Sequence, residues 1–339
     1  MNGSSSSPHQ NKPGDVPVRL EKPADAGLDG ANMEWGAHDV AEHSRSLCIA
    51  VDDFGLHAGV CEAALQLALH GRTQAISCMV GAPAWAQWAP QLRGLDPRQT
   101  ETGLHLDLTQ HPILLRPQGL GPLIVLSWLR ALDCAQIRTE IRAQLDAFER
   151  HSGQPPAYVD GHQHIHQFPV VRDELLTQLQ NRYAGCLPWL RNTAGYGGAG
   201  PQPPARPWWE ALKPWLLETL GAAALARKAK AQGFRQNGHL LGVYNFTGGE
   251  ENYARRARDW LAASRSGDLW MCHPSVGNHP QDPLAQARQH EYRVLSGDAL
   301  GALLREEGIR LEPLGQTLQR GAASGGCDCF PTGGHTPRR

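Results

Sequence analysis

A fully apolar run, Leu47-Cys48-Ile49-Ala50-Val51, ends in two adjacent carboxylates, Asp52 and Asp53, followed by Phe54-Gly55. Unbroken hydrophobicity over so short a stretch describes a strand buried on both faces, as in a parallel α/β sheet. Two neighbouring carboxylates repel, so a pocket keeps both only with a cation, or a proton, to share. If the strand ends there, Gly55 permits a sharp turn, and one carboxylate can face a cation while the other faces substrate. The competing reading is two surface aspartates capping the helix that starts near Leu56, since Asp is a favoured N-cap.

Two later strand-like runs carry imidazoles. In Thr102–Leu108, His105 and Asp107 point one way and Leu104, Leu106 and Leu108 the other. A solvated strand face competes with a site strand here, but a buried strand does not carry two ionisable residues on one face without partners. The second run, Tyr158-Val159-Asp160, leads into Gly161-His162-Gln163-His164-Ile165-His166. A continued extended chain would put all three imidazoles on one side. A bend would leave one as a ligand and turn the others towards neighbours or substrate. Two His and one carboxylate leave coordination positions open, as catalytic metal sites require.

Around these motifs, strands alternate with helical stretches. Val60, Ala64, Leu67 and Ala68 mark an amphipathic helix ending near Gly71, and Ile137, Ile141, Leu145 and Phe148 mark one over 137–150. Further strands are expected at Ala75–Val80, Cys186–Arg191, Leu240–Tyr244, Asp268–His273 and Gly308–Leu311, and helices after Pro169 and near 211–232, 251–265 and 284–305. Chemistry-bearing residues at strand C-termini in a βα alternation point to a parallel barrel or a doubly wound sheet, the barrel being favoured. The Pro/Gly-rich span 192–210 reads as a long loop over the site face. Residues 1–44 and 319–339 lack apolar periodicity and read as disordered extensions, leaving one domain over 45–318.

The formal net charge of −1 offers no electrostatic grip on nucleic acid or an anionic membrane. No stretch approaches the roughly 18 apolar residues of a membrane span, and no secretory leader is recognisable, so a cytoplasmic location is expected. Cys48, Cys61, Cys78, Cys134, Cys186 and Cys272 read as buried reduced thiols, while Cys327 and Cys329 sit in the Gly-rich tail. Trp85, Trp88, Trp128, Trp189, Trp208 and Trp209 lie near the site strands. Most read as packing residues, one or two as flat faces for sugar rings.

In order and spacing, Val51–Gly55, Gly103–Thr109 and Asp160–His166 resemble the motifs of the YdjC-like carbohydrate deacetylases, which include chitooligosaccharide deacetylases and the hopanoid-associated HpnK type. The likeness extends to Leu190-Arg191, Met271-Cys272-His273-Pro274, Arg288 and Glu291-Tyr292. It implies a distorted (β/α) barrel of the polysaccharide-deacetylase-like type. It also implies Asp53, His105 and His162 as ligands of one divalent metal ion, Asp52 as general base and His273 as general acid. Arg191 is implied to orient the base or substrate, against the alternative of an ion pair that merely holds the loop. Asp160, His164, His166 and Asp107 are then substrate-side groups or supports of the ligands. Magnesium follows from the resemblance, whereas two His and an Asp suit Zn²⁺ on ligand type.

The implied reaction is hydrolysis of an N-acetyl group on an amino sugar, an oligosaccharide or a glycolipid. A homodimer is an assembly the likeness also brings into view. Val51, Gly161 and Gln163 depart from the residues usual at their positions. An amidase for a non-sugar or hopanoid-linked amide, and a non-catalytic sugar-binding barrel, are the competing functions, since barrel loops rather than the fold set the substrate.

Overall fold

A computed structural model describes residues 44–195 and 221–322. The expectations for the N-terminal extension, Trp208, Trp209, Cys327, Cys329 and most of the span 192–210 therefore lie outside the described residues. Eight parallel strands form one sheet: β1 (Arg45–Phe54), β2 (Ala75–Cys78), β3 (Glu101–Leu106), β4 (Tyr158–Gly161), β5 (Trp189–Leu190), β6 (Leu240–Leu241), β7 (Asp268–Cys272) and β8 (Ile309–Leu311). The order is β5-β4-β3-β2-β1-β7-β6, with β8 paired to the start of β1.

The sheet curls until its two ends meet. At that seam an isolated parallel bridge joins Leu190 to Gln236. Leu190 N–H donates to Arg235 O (2.9 Å), and Leu240 N–H donates to Ala194 O (2.9 Å). The result is a distorted barrel of parallel strands, closed along one side by loop backbone rather than by a full ladder.

Alternation along each strand divides the core in two. Leu47, Ile49 and Val51 face outward into the layer shared with the helices α1 (Ala58–Leu69), α2 (Trp85–Leu92), α3 (Leu120–Trp128), α4 (Cys134–Ser152) and α5 (Val171–Arg182). Later helices are α6 (Ala223–Ala231), α7 (Gly249–Ala263), α8 (Ala285–Ser296), α9 (Asp298–Glu306) and α10 (Leu314–Ala322). Cys48, Ala50, Ala75, Tyr158, Trp189, Leu240, Leu269 and Met271 form a second cluster inside the barrel. Gly103 belongs to that interior. A Cβ there would meet the Tyr158 ring at 2.6 Å, so the ring lies directly across the strand.

Most expected elements are present, with local differences. The helix expected over 284–305 is two, broken at Gly297, whose backbone is extended (ψ 152). Helices α2 and α3 were not anticipated, and α10 runs to Ala322, past the expected boundary at 318. Cys134 and Cys186 are exposed rather than buried: Cys134 opens α4 beside its cap Asp133, and Cys186 lies in the loop after α5. Trp85, Trp88 and Trp189 are buried packing residues.

Candidate metal centre

Cys48, Ala50 and Asp52 share the barrel-facing side of β1, so Asp53 should point outward. It does not. The β1–β2 register shifts between Val51 and Phe54, and Asp53 takes a left-handed backbone (φ +67). Such a bulge with a positive φ re-aims a side chain at a local cost of about 1–3 kcal/mol. Both carboxylates end up buried in one site, 2% and 1% exposed. The N-cap of α1 is His57, so the alternative of two surface capping aspartates falls.

Asp53 Oδ1 lies 3.0 Å from His162 Nδ1 and 3.4 Å from His105 Nε2. Its Oδ2 accepts from Arg288 at 2.7 Å. His105 Nδ1 is 2.7 Å from Asp160 Oδ1. With that nitrogen as donor, the ring orientation is fixed and Nε2 faces Asp53 and the cavity. Asp160 Oδ2 takes Ser77 Oγ–H (2.7 Å) and ion-pairs with Arg191 (2.6 Å). Arg191, fully buried on the residue after β5, forks onto Asp52 through two bonds of 2.6 and 2.7 Å. Across the site, His273 Nε2 is 3.9 Å from Asp52 Oδ2.

The turn His162–Gln167 that follows β4 explains the His triplet. Gln163 and His164 have φ of +54° and +60°, so the extended chain stops at Gly161 and the three imidazoles diverge. His162 meets Asp53. His164 lines the cavity, and His166 turns inward, its Nε2 3.0 Å from Arg191 O. Asp107 does not share the direction of His105. Its carboxylate accepts the backbone N–H groups of Thr109, Gln110 and His111 and the Thr109 hydroxyl, so it organises the loop after β3.

The charges follow from this geometry. Burial alone would raise Asp53, but Arg288 and His162 hold it well below the ordinary carboxylate range. Burial opposes the ionised form of Asp52 too, and Arg191 and His105 outweigh it, so Asp52 is lowered. Burial works against a charged His105, yet Asp160 and Asp52 raise it to about 10. His166, by contrast, is pushed by burial down to about 4. Asp52, Asp53 and Asp160 are thus balanced by the guanidiniums of Arg191 and Arg288 and by the His105 imidazolium, whose Nε2 proton a cation would replace. Asp53, His105 and His162 offer ligand atoms within 4.8 Å of one another, and His162 Nε2 is a buried nitrogen without a protein partner. A carboxylate and two imidazoles gathered this closely fit a divalent cation.

Above this floor opens a cavity of about 840 Å³. Its walls mix imidazoles (His57, His111, His164, His279) with the apolar side chains Leu56, Leu120, Val243, Phe246, Met271 and Leu284. Among the described residues no Trp lines it, so the expected stacking face is not a described Trp. The wall and support residues His57, Asp282 and Phe246 escaped the sequence reading, and Glu291 entered it only through the family likeness, without a role. His57 Nε2 lies 3.2 Å from Asp282 Oδ2, and Asp282 also ion-pairs with Arg288 at 2.7 Å, which reaches Asp53. Phe246 packs edge-on against the His273 ring at 5.1 Å. Glu291, whose carboxyl is raised by burial, accepts the His273 backbone N–H (2.6 Å) and the Tyr244 hydroxyl (2.7 Å). The polar loop His279–Asp282 just after His273-Pro274 was the one available signal.

The parallel α/β barrel gathers carboxylates and imidazoles at its strand C-termini, where a metal ion could be held. The family model described as YdjC-like protein matches residues 46–306, and the chain belongs to that family. A human carbohydrate deacetylase is 29% identical over 304 residues, covering 78% of this chain and 88% of its own length. A Yersinia enterocolitica chitooligosaccharide deacetylase is 31% identical over 135 residues, 38% of this chain and 53% of its own. In fold, the chain is similar to an Enterococcus faecalis protein assigned provisionally to cellobiose-phosphate cleavage. That similarity has a TM-score of 0.60 at 18% identity and covers 81% of this chain and 99% of the other. No described helix is long and apolar enough to cross a membrane.

Proposed function

We propose that this chain is a metal-dependent hydrolase that removes N-acetyl groups from an amino sugar or an amino-sugar-containing molecule. The observation that carries the reading is Asp52, buried and forked by Arg191 beside the Asp53–His105–His162 cluster, with His273 across from it at the cavity floor. The names of the similar proteins, carbohydrate and chitooligosaccharide deacetylases, supply the substrate class.

Asp53, His105 and His162 would hold the cation, which when bound lowers the pKa of a water and polarises the acetamide carbonyl. Asp52 accepts the proton of the attacking water. A carboxylate held low by Arg191 is a weak base, matched to a water that is already acidic. Arg191 fixes the direction of Asp52, and Asp160 fixes the ring of His105. As the new C–O bond forms and the C–N bond breaks, His273 gives its proton to the amine nitrogen, which leaves with the sugar. Acetate remains.

Ligand type suits Zn²⁺, and the family resemblance suggests Mg²⁺. A cytoplasmic location is supported by the free thiols of Cys48, Cys61, Cys78, Cys134, Cys186 and Cys272. The test is acetate release from N-acetylated mono- and oligosaccharides, with EDTA and with added Mg²⁺ or Zn²⁺. Release that EDTA stops and that Asp52→Asn abolishes is expected. Release untouched by EDTA, or near-full rate in Asp52→Asn, would overturn the reading.

A further inference from the structure

Helix α3, Leu-Gly-Pro-Leu-Ile-Val-Leu-Ser-Trp, is apolar all round, a composition suited to a helix covered on every side. Among the described residues it is covered on one. Leu123 and Ser127 face inward, and Ser127 Oγ–H is bonded to the Pro169 carbonyl, which docks that face. Val125, Trp128 and Leu129 face outward, 56%, 49% and 72% exposed.

The loop before α3 also exposes apolar side chains and is firmly built. Leu114, 59% exposed, is held there because Glu140, fully buried in α4, accepts the backbone N–H groups of Ile113 (2.7 Å), Leu114 (2.7 Å) and Leu115 (2.9 Å). A buried carboxylate thus fixes apolar side chains in the solvent. Exposed apolar surface organised in this way marks an interaction site.

Charge selects the occupant. Between Asp107 and Asp133 the sequence has no carboxylate, and it carries Arg116 and Arg130. Arg116 has no ion-pair partner among the described residues, and Arg130 reaches Asp173 only at 3.7 Å while staying 65% exposed. Two copies joined through this face would set arginine against arginine with no acid within the segment to pair them. The chain as a whole carries no net positive charge, but on this local excess we infer that the face docks onto an anionic lipid surface. Val125, Trp128 and Leu129 enter the headgroup boundary, and Arg116 and Arg130 meet the phosphates. Leu120, at the start of α3, lines the cavity, so docking sets the cavity mouth beside the bilayer. Neither arginine nor any of the three apolar residues belongs to the metal centre.

The test is co-sedimentation of the full chain with vesicles of phosphatidylcholine and phosphatidylglycerol in equal parts, and with vesicles of phosphatidylcholine alone. Wild type should pellet with the anionic vesicles and much less with the neutral ones. The combined Val125→Ser, Trp128→Ser and Leu129→Ser variant should bind at least about tenfold more weakly. Arg116→Gln with Arg130→Gln, which spares the apolar core, should lose only the preference for anionic lipid. The proposal is overturned if wild type fails to pellet or if both variants pellet like wild type. It is equally overturned if sedimentation velocity shows a dimer, lost in the serine variant, with no vesicle binding. In that last case the face is a self-interface.

Discussion

The lower and upper halves of the barrel interior are built on the same strands and solve opposite problems. Near the strand starts, Cys48, Ala50, Ala75, Tyr158, Trp189 and Leu269 pack a dry core, with Tyr158 stacked on Trp189 at 4.2 Å. One or two pleats further along, the same faces carry Asp52, Ser77, His105, Asp160 and Arg191. The lower half can be exchanged for other apolar residues of like volume. In the upper half every charge depends on a named partner, and removing one strands the rest. The comparison teaches that stability and chemistry are separated along the strand axis rather than between domains.

Arg191→Met should break the upper half most severely. It leaves Asp52 and Asp160 buried without their guanidinium, for a loss of about 3–5 kcal/mol in urea unfolding together with loss of turnover. Glu101→Gln probes a buried carboxylate of the lower half. Burial raises Glu101 to about 7, against the bonds from Trp189 and Gly315. Its folded pKa exceeds the unfolded value, so its contribution is complete below about 4.5 and is lost as pH rises through about 7. Because buried groups such as His166 titrate in the opposite sense over the same range, the readout is the difference between wild type and the Gln variant, which should shift against wild type across that window. The Gln variant should be the more stable at pH 8 by up to about 3 kcal/mol relative to its difference at low pH. A difference that does not change through the window would contradict this.

Gly103→Ala places a methyl against the Tyr158 ring and should cost about 2 kcal/mol by thermal denaturation, with the metal centre intact. Ser77→Ala removes the hydroxyl that ties Asp160 to Tyr158 (2.7 and 2.8 Å) and should cost about 1 kcal/mol. If Ser77→Ala proved as damaging as Arg191→Met, the upper half would be a hydrogen-bond network and not an ion-pair network.

What could be read from the sequence follows the same division. The strands announced themselves because Leu47–Val51 is uniformly apolar and because His105 and Asp160 close their runs. The divergence of His162, His164 and His166 was one of the two courses the alternation left open, and the positive φ at Gln163 and His164 selects it. The inward turn of Asp53 was not visible, since alternation places it outside and only its positive φ brings it in. Asp107 was misplaced for the converse reason: the strand ends at Leu106, one residue before it. Helix α3 lacks polar contrast, so no periodicity reveals it. Helix α2 is short and interrupted by Pro90. The supports His57, Asp282 and Phe246 are joined to the site by long-range contacts that no local pattern encodes, and the bond of Glu291 to His273 was equally hidden although the residue belongs to the family likeness.

The most direct measurement is the divalent-metal content of purified protein by mass spectrometry, compared among wild type, Asp52→Asn and Asp53→Ala. One ion per chain is expected in wild type and in Asp52→Asn, and none in Asp53→Ala. Wild type without an ion after incubation with Mg²⁺ or Zn²⁺, or Asp53→Ala that keeps one, would contradict the assignment of this cluster as the metal centre.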